Sequence, residues 1–257
     1  MDLQLQGRAA FVAASTGGLG RAVAEALGRE GANVIVTGRR RELAEQIAAD
    51  LPSAIGLELD VTSERSRAAA IEQAQQRFGP LDVLVLNGPG PKPGPAATMT
   101  GDGARSAFDQ LVTPHQHFVS AVVGGMRARG WGRILAVGSS GIVSPLPNLA
   151  GSNLGRAALA NYLKTLAAEV ASDGVTVNLL LPGRIATDRV ATLDEAKARR
   201  DGTTRDDIAR ASQASIPTGR YGDPDEFGAA AAFLCSGPAS YITGTAMRCD
   251  GGLVNTL

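Results

Sequence analysis

The sequence predicts an α/β protein in which a doubly wound parallel sheet of about seven strands lies between two layers of helices. Three observations predict it. Short, continuously apolar segments alternate along the chain with longer segments of helical period, the pattern of a parallel sheet covered on both faces. Hydrophobic residues make up 44% of the 257 positions and charged residues only 19%, which supplies a sizeable core and argues against disorder. A glycine-rich segment, residues 15–20 (STGGLG), directly follows the first apolar segment, where such sheets place ligand-binding turns. No repeat or composition break divides the chain, so residues 1–257 read as one domain.

Taken in order, residues 8–14 (RAAFVAA) form a central strand. After the glycine-rich turn, residues 21–29 carry Val23, Ala26 and Leu27 at helical spacing, and Gly31 ends that helix. Residues 32–37 (ANVIVT) are rich in β-branched side chains and form the second strand. Gly38, Arg39, Arg40 and Arg41 then lead into an alanine-rich helix reaching about Asp50. Residues 55–59 make the third strand, closed by Asp60 and Val61. Ser63 stands where it can cap a helix over residues 63–78. Residues 82–86 (DVLVL) are the fourth strand, ending at Asn87.

A Pro/Gly loop, residues 88–95 (GPGPKPGP), precedes a long helix over 102–129, which Pro114 is expected to start, kink or break. The fifth strand, residues 134–137, delivers a small polar turn containing Ser139 and Ser140. A Pro-containing loop and a helix from about Gly151 follow. On that helix Ser152 and Arg156 are one turn apart and share a face. Residues 175–181 (VTVNLLL) form the sixth strand, stopped by Pro182 and Gly183. Residues 184–217 are polar and charged and read as one or two exposed helices forming a lid over the site. Asp223, Pro224 and Glu226 are the start signature of a helix over 223–235. Residues 245–249 form the last strand.

Composition narrows the function. The formal net charge is +0, so no global field draws the chain to nucleic acid or to anionic lipid. No apolar run approaches the roughly 18 residues that span a bilayer, and the N-terminus lacks a basic region ahead of an apolar stretch. A cytoplasmic protein is the expectation. Cys235 and Cys249 are the only cysteines. A disulfide between them is open on sequence alone, and two free thiols in a reducing compartment are favoured. Those cysteines, with His115 and His117, make no metal-ligand spacing.

The chain resembles the short-chain dehydrogenase/reductase family, and within it the 3-oxoacyl-[acyl-carrier-protein] reductase-like branch. The resemblance covers essentially the whole length and is most specific near the C-terminus. It rests there on Asn178-Leu179-Leu180-Leu181-Pro182-Gly183, on Pro217-Thr218-Gly219-Arg220-Tyr221-Gly222-Asp223-Pro224, on Tyr241-Ile242-Thr243-Gly244 and on Asp250-Gly251-Gly252. It implies a Rossmann-type fold, a nicotinamide dinucleotide cofactor, a small carbonyl or acyl substrate and a homodimer or homotetramer. The helices over 102–129 and 151–172 would form its interface.

The family's turn, Thr-Gly-x-x-x-Gly-x-Gly, is matched by Gly18 and Gly20, with Ala13 and Ala14 where Thr and the first Gly are expected and Gly17 as an added glycine. An alanine there is expected to keep negative φ, giving the cradle a slightly different shape. By the resemblance the cofactor would meet Ser15, Gly18, Leu19 and Gly20 in this turn, and Asp60 and Val61 at the adenine. It would meet Asn87 and Gly88 beyond the fourth strand, and Pro182, Gly183, Ile185 and Thr187 beyond the sixth. After the second strand the chain has Arg39 and Arg40 rather than an acid. Arginine forks suit a 2′-phosphate, so NADP(H) is favoured over NAD(H).

The catalytic motif departs from the family. Ser139 matches the family serine, but Ser152 stands where the tyrosine is expected and Arg156 where the lysine is expected. Ala157-Ala158-Leu159 fixes the register, and the family asparagine position holds Leu111 or Val112. A phenol of pKa about 10 can pass a proton to a carbonyl oxygen, whereas a serine hydroxyl is a far weaker acid. Arginine keeps a cation in place but does not relay protons. Two readings follow. One is an NADP(H)-dependent oxidoreductase with a non-standard proton donor; the other is a catalytically silent, cofactor-binding homologue with a binding, sensing or scaffold role. His115 is either a replacement donor or an interface or surface residue, and Arg184 either steers an acidic group or is simply solvated.

Overall fold

The computed structural model describes residues 1–256. Seven strands are found among them: β1 (Ala9–Val12), β2 (Asn33–Gly38), β3 (Ala54–Glu58), β4 (Val83–Leu86), β5 (Gly132–Val137), β6 (Val175–Pro182) and β7 (Ala246–Cys249). They pair in parallel in the order β3-β2-β1-β4-β5-β6-β7. The winding direction reverses between β1 and β4. A crevice opens there beyond the carboxyl ends of the strands, the usual ligand position of an open α/β sheet.

Helices cover both faces. Successive side chains of a strand point to opposite sides, so Ala9 and Phe11 of β1 face one core while Ala10 and Val12 face the other. The first core is closed by α3 (Glu64–Phe78), α5 (Thr113–Ala128) and α6 (Ala150–Val170), through residues such as Ile71, Phe118 and Leu163. The second is closed by α1 (Gly18–Arg29), α2 (Arg41–Ala49) and α9 (Pro224–Leu234), through Leu27, Ile47 and Phe227. The outer helix α4 (Gly101–Leu111) packs on α6, close enough that a methyl group on Gly155 would lie 2.9 Å from the Ala107 carbonyl oxygen.

The helix expected over 102–129 is two helices. Pro114 brings no N–H to the ladder and its ring crowds the preceding turn. The chain breaks at Val112 (φ −111°, ψ −58°), and α5 restarts with Pro114 in its first turn. Ser63 caps α3 by accepting from the Ser66 N–H, and Asp223 with Glu226 forms a capping box on α9. Residues 184–217 contain two helices, α7 (Asp188–Asp201) and α8 (Arg205–Ala214). Asn178 explains the polar residue inside β6: buried, it donates to the Ile242 carbonyl (2.7 Å) and accepts from the Thr245 N–H (3.2 Å), fastening β7 to the sheet. Cys235 and Cys249 are both free thiols. Among the described residues no helix is long and apolar enough to cross a membrane.

Candidate active site

A cavity of about 1020 Å³ lies beyond the carboxyl ends of β1, β2, β4, β5 and β6 and is roofed by α7 and α8. At one end it meets the N-terminus of α1. That helix begins after Gly17 with no side-chain cap and no acidic residue in its first turn, whereas α3, α4, α7, α8 and α9 are each capped by a Ser, Thr or Asp. Its free N–H groups and positive dipole end therefore face the cavity, the arrangement that receives a phosphate.

The turn that feeds α1 is held from outside. Ala14 has φ +48°, contrary to the negative φ expected for an alanine. Its N–H donates to Thr37 Oγ1 (3.0 Å), and its carbonyl oxygen accepts from Asn87 Nδ2 (3.0 Å). These bonds impose a left-handed backbone that costs an alanine about 1 kcal/mol or more. Gly18 also has positive φ (54°). Gly20 is needed for closeness: a methyl group there would lie 2.6 Å from both the Ala14 carbonyl oxygen and Asn87 Nδ2.

Several expected cofactor residues line the cavity: Gly18, Leu19, Arg39, Asp60, Val61, Asn87, Gly88, Pro182, Gly183, Ile185 and Thr187. Three do not line it. Ser15 is fully buried. Its hydroxyl donates to the Val12 carbonyl (2.8 Å) and accepts from the Thr37 N–H (2.9 Å), so it ties β1 to β2. Gly20 sits behind the turn. Arg40 is the exposed residue that begins α2. Thr16 and Gly17 line the cavity instead; both lie in the glycine-rich segment, so their position was readable though their direction was not. Asp60 is held below the usual carboxylate range, first by hydrogen bonds from the Thr62 hydroxyl and N–H. Thr187 caps α7 through its hydroxyl, while its methyl lies 3.9 Å from where a Gly18 side chain would begin.

At the other end are Ser139, Ser152 and Arg156, all three on the cavity wall. Ser139 follows β5, and its Oγ accepts from the Gly141 N–H (3.0 Å), which leaves its hydroxyl hydrogen free to donate. Ser152 lies on the first turn of α6, and its hydroxyl makes no hydrogen bond to another described residue. Asn153 sets the entry of this helix by exchanging hydrogen bonds with the Leu146 backbone (2.9 and 3.3 Å).

Arg156 Nη1 donates to the carbonyl oxygens of Val137 (2.9 Å) and Gly138 (3.2 Å) at the end of β5. Its guanidinium is surrounded by protein, with an edge open to the cavity. Burial, and then the nearby Arg189, bring its pKa down to about 10, so it stays a cation at neutral pH. Leu111 and Val112, which stand in the region of the family asparagine, are both buried, and Leu111 packs against Gly155.

His115 is neither at an interface nor on the surface; it is 3% exposed. Its Nδ1 lies 2.9 Å from the Leu111 carbonyl oxygen, so Nδ1 carries the proton. Its ring lies behind Gly88 and off the cavity wall. Burial pushes its pKa down to about 4. Arg184 is not simply solvated: it donates to Asp194 Oδ1 (3.0 Å) and to Ser212 Oγ (3.0 Å). Tyr221 adds a hydrogen bond to Asp194 Oδ2 (2.7 Å), so this cluster fastens α7 and α8 to the body.

A family model described as enoyl-(acyl carrier protein) reductase matches residues 13–254. The chain is 36% identical over 253 residues to the 3-oxoacyl-[acyl-carrier-protein] reductase of Haemophilus influenzae, covering 97% of this chain and 99% of that one. The chain belongs to the short-chain dehydrogenase/reductase family. Among solved structures, L-sorbose reductase from Gluconobacter frateurii, complexed with NADPH and L-sorbose, superposes with a TM-score of 0.93 at 29% identity and covers 100% of both chains. An NADPH-dependent reductase involved in bacilysin biosynthesis gives 0.92 at 28% identity, over 97% of this chain and 99% of that one. The short-chain dehydrogenase/reductase architecture is thus complete here, with Ser152 and Arg156 built into its wall.

Proposed function

We propose that the protein is an NADP(H)-dependent oxidoreductase acting on a small carbonyl compound or the corresponding alcohol, with 3-oxoacyl thioesters among the candidates. The observation that carries this reading is that one cavity joins the uncapped N-terminus of α1 to the Ser139, Ser152 and Arg156 cluster. Arg39 lines the adenosine end and forms no ion pair among the described residues, which supports NADP(H) over NAD(H). Residues 184–217 act as the lid, in one domain spanning residues 1–257. Two exposed apolar residues, Phe108 on α4 and Leu154 on α6, support a homodimer or homotetramer built on those helices. A cytoplasmic location fits this reading.

When bound, NADPH supplies the hydride that reduces the carbonyl carbon. The Ser139 and Ser152 hydroxyls donate hydrogen bonds to the carbonyl oxygen and orient it. Arg156, fixed by two strand-end carbonyls, keeps a positive charge beside the reacting group. The proton that completes the alcohol comes from water relayed by Ser152. Without a positioned acid the rate is lower by roughly 10²- to 10⁴-fold than with one.

One observation favours the second reading, a silent cofactor-binding protein: no tyrosine, histidine or cysteine is among the described residues lining the cavity. The test follows NADPH oxidation with acetoacetyl thioester and a panel of ketones and oxo acids, alongside calorimetric NADPH binding. Turnover of at least one substrate is expected. NADPH binding without turnover of any of them replaces the first reading with the second. The double substitution Ser152→Tyr with Arg156→Lys is expected to raise the rate by about 10²-fold.

A further inference from the structure

Arg156 and Arg189 take part in no ion pair among the described residues, and both line the main cavity. Arg156 is fixed through Nη1 alone. A methyl group placed on Gly90 would lie 3.9 Å from Arg156 Nη2 and 3.3 Å from Arg189 Nη2. Two guanidinium ends, on α6 and α7, therefore converge on one spot that has no side chain of its own. Like charges that close repel, as the depressing effect of Arg189 on Arg156 shows. Arginine forks in this arrangement match a planar oxyanion.

The surroundings favour the same ligand. Gly90 is shared with a second cavity of about 670 Å³, where Lys92 is the only charged residue among the described residues that line it. The carboxylates that line the main cavity, Asp60 and Asp188, form no ion pair with either arginine. The free α1 N-terminus and Arg39 are the groups suited to the phosphates of a dinucleotide, which leaves Arg156 and Arg189 for a different anion.

We propose that Arg156 and Arg189 form a carboxylate clamp above Gly90, so that the substrate is the anion of an oxo or hydroxy acid rather than a neutral carbonyl compound. Ser139 and Ser152 then face the carbonyl while the clamp holds the acid group. This proposal rests on the oxidoreductase reading of the cavity and narrows it.

Calorimetry with malonate, a non-reducible dicarboxylate, tests the clamp on the full chain saturated with NADPH, with dimethyl malonate and inorganic phosphate as controls. Malonate is expected to bind and its dimethyl ester not to. Arg189→Met is expected to weaken malonate at least tenfold while changing NADPH affinity less than threefold, and Arg189→Lys to restore part of the loss. Binding of ester and acid alike, or of neither, overturns the clamp, as does phosphate binding with malonate excluded. Loss of NADPH affinity in Arg189→Met also overturns it, because the anion held would then be the cofactor's own phosphate. If NADPH itself fails to bind the wild-type chain, the cofactor reading falls; malonate binding to the unloaded chain then decides the clamp separately. Where turnover is measurable, kcat/KM for a 3-oxo acid is expected to exceed that for its methyl ester at least tenfold. That preference is expected to vanish in Arg189→Met.

Discussion

Replacing Gly20 by alanine probes the cofactor turn at its tightest point. An added methyl group would lie 2.6 Å from the Ala14 carbonyl oxygen, 2.6 Å from Asn87 Nδ2 and 3.0 Å from Ser15 Cα. Heavy-atom contacts are optimal at roughly 3.5–4.0 Å, so these neighbours must retreat by about an ångström. Ser15 is pinned by its bonds to Val12 and Thr37, so the Asn87 side chain swings aside, giving up its bond to Ala14, and the backbone at Ala14 is pushed out of place with it. Overpacking costs about 1–3 kcal/mol and the lost hydrogen bond about 1 kcal/mol. Alanine recovers about 1 kcal/mol over glycine inside a helix. The net loss is about 1–3 kcal/mol. In a chain of this size each kcal/mol moves the melting temperature by about 2–4 °C.

Gly20→Ala should therefore melt several degrees lower and bind NADPH at least tenfold more weakly, since the displaced turn faces the cavity. Thermal melts and calorimetry measure both effects. Combining it with Asn87→Ala should cost less than the sum of the two changes, because both act on one contact. A Gly20→Ala protein that melts within about 1 °C of wild type and binds NADPH equally well would refute this account of the turn.

Two further outcomes follow from buried groups. His115 has a folded pKa of about 4 against an ordinary 6.5. Between those values the unfolded chain takes up a proton that the folded chain refuses, so stability falls as pH drops from 6.5 towards 4. The loss is roughly 3 kcal/mol at the acid end. His115→Gln, which can keep the bond to Leu111, should flatten the melting-temperature profile in that window, and parallel profiles would exclude the assignment. Asp194 is 2% exposed and receives Arg184 and Tyr221. Asp194→Ala should destabilise by about 2–3 kcal/mol, at or below the low end for a broken buried pair because Arg184 reaches solvent. Amide exchange should rise first in α7 and α8, whereas a uniform rise across the sheet would deny these helices their tether.

Most of the fold is readable because burial on both faces leaves its mark in composition: strands such as Val83–Leu86 are apolar at every position. Caps at Ser63 and Asp223 are local events between neighbours, and they are legible for that reason. The break at Val112 follows from the chemistry of Pro114 two residues on. The directions of side chains in the site are another matter. Ser15 and Thr16 are adjacent and equally polar, yet one faces inward and the other the cavity, a difference set by the partner strand. Arg189 gave no signal, since its meaning depends on Gly90, a hundred residues away. Arg184 looked solvated because Asp194 and Tyr221 meet it only in three dimensions. Ala14 misled because propensity describes a residue alone, while Thr37 and Asn87 decide its backbone.

That last point bears on how such a site is inherited. A turn shaped by its own glycines is a module that can be moved between proteins and recognised by its letters. The turn at Ala14 takes its curvature from β2 and from the end of β4, so the information for it is spread over three strands. Transplanted alone to another strand–helix junction, it would relax to an ordinary bend. In this chain, Thr37 and Asn87 belong to the binding loop as much as the residues that draw its outline.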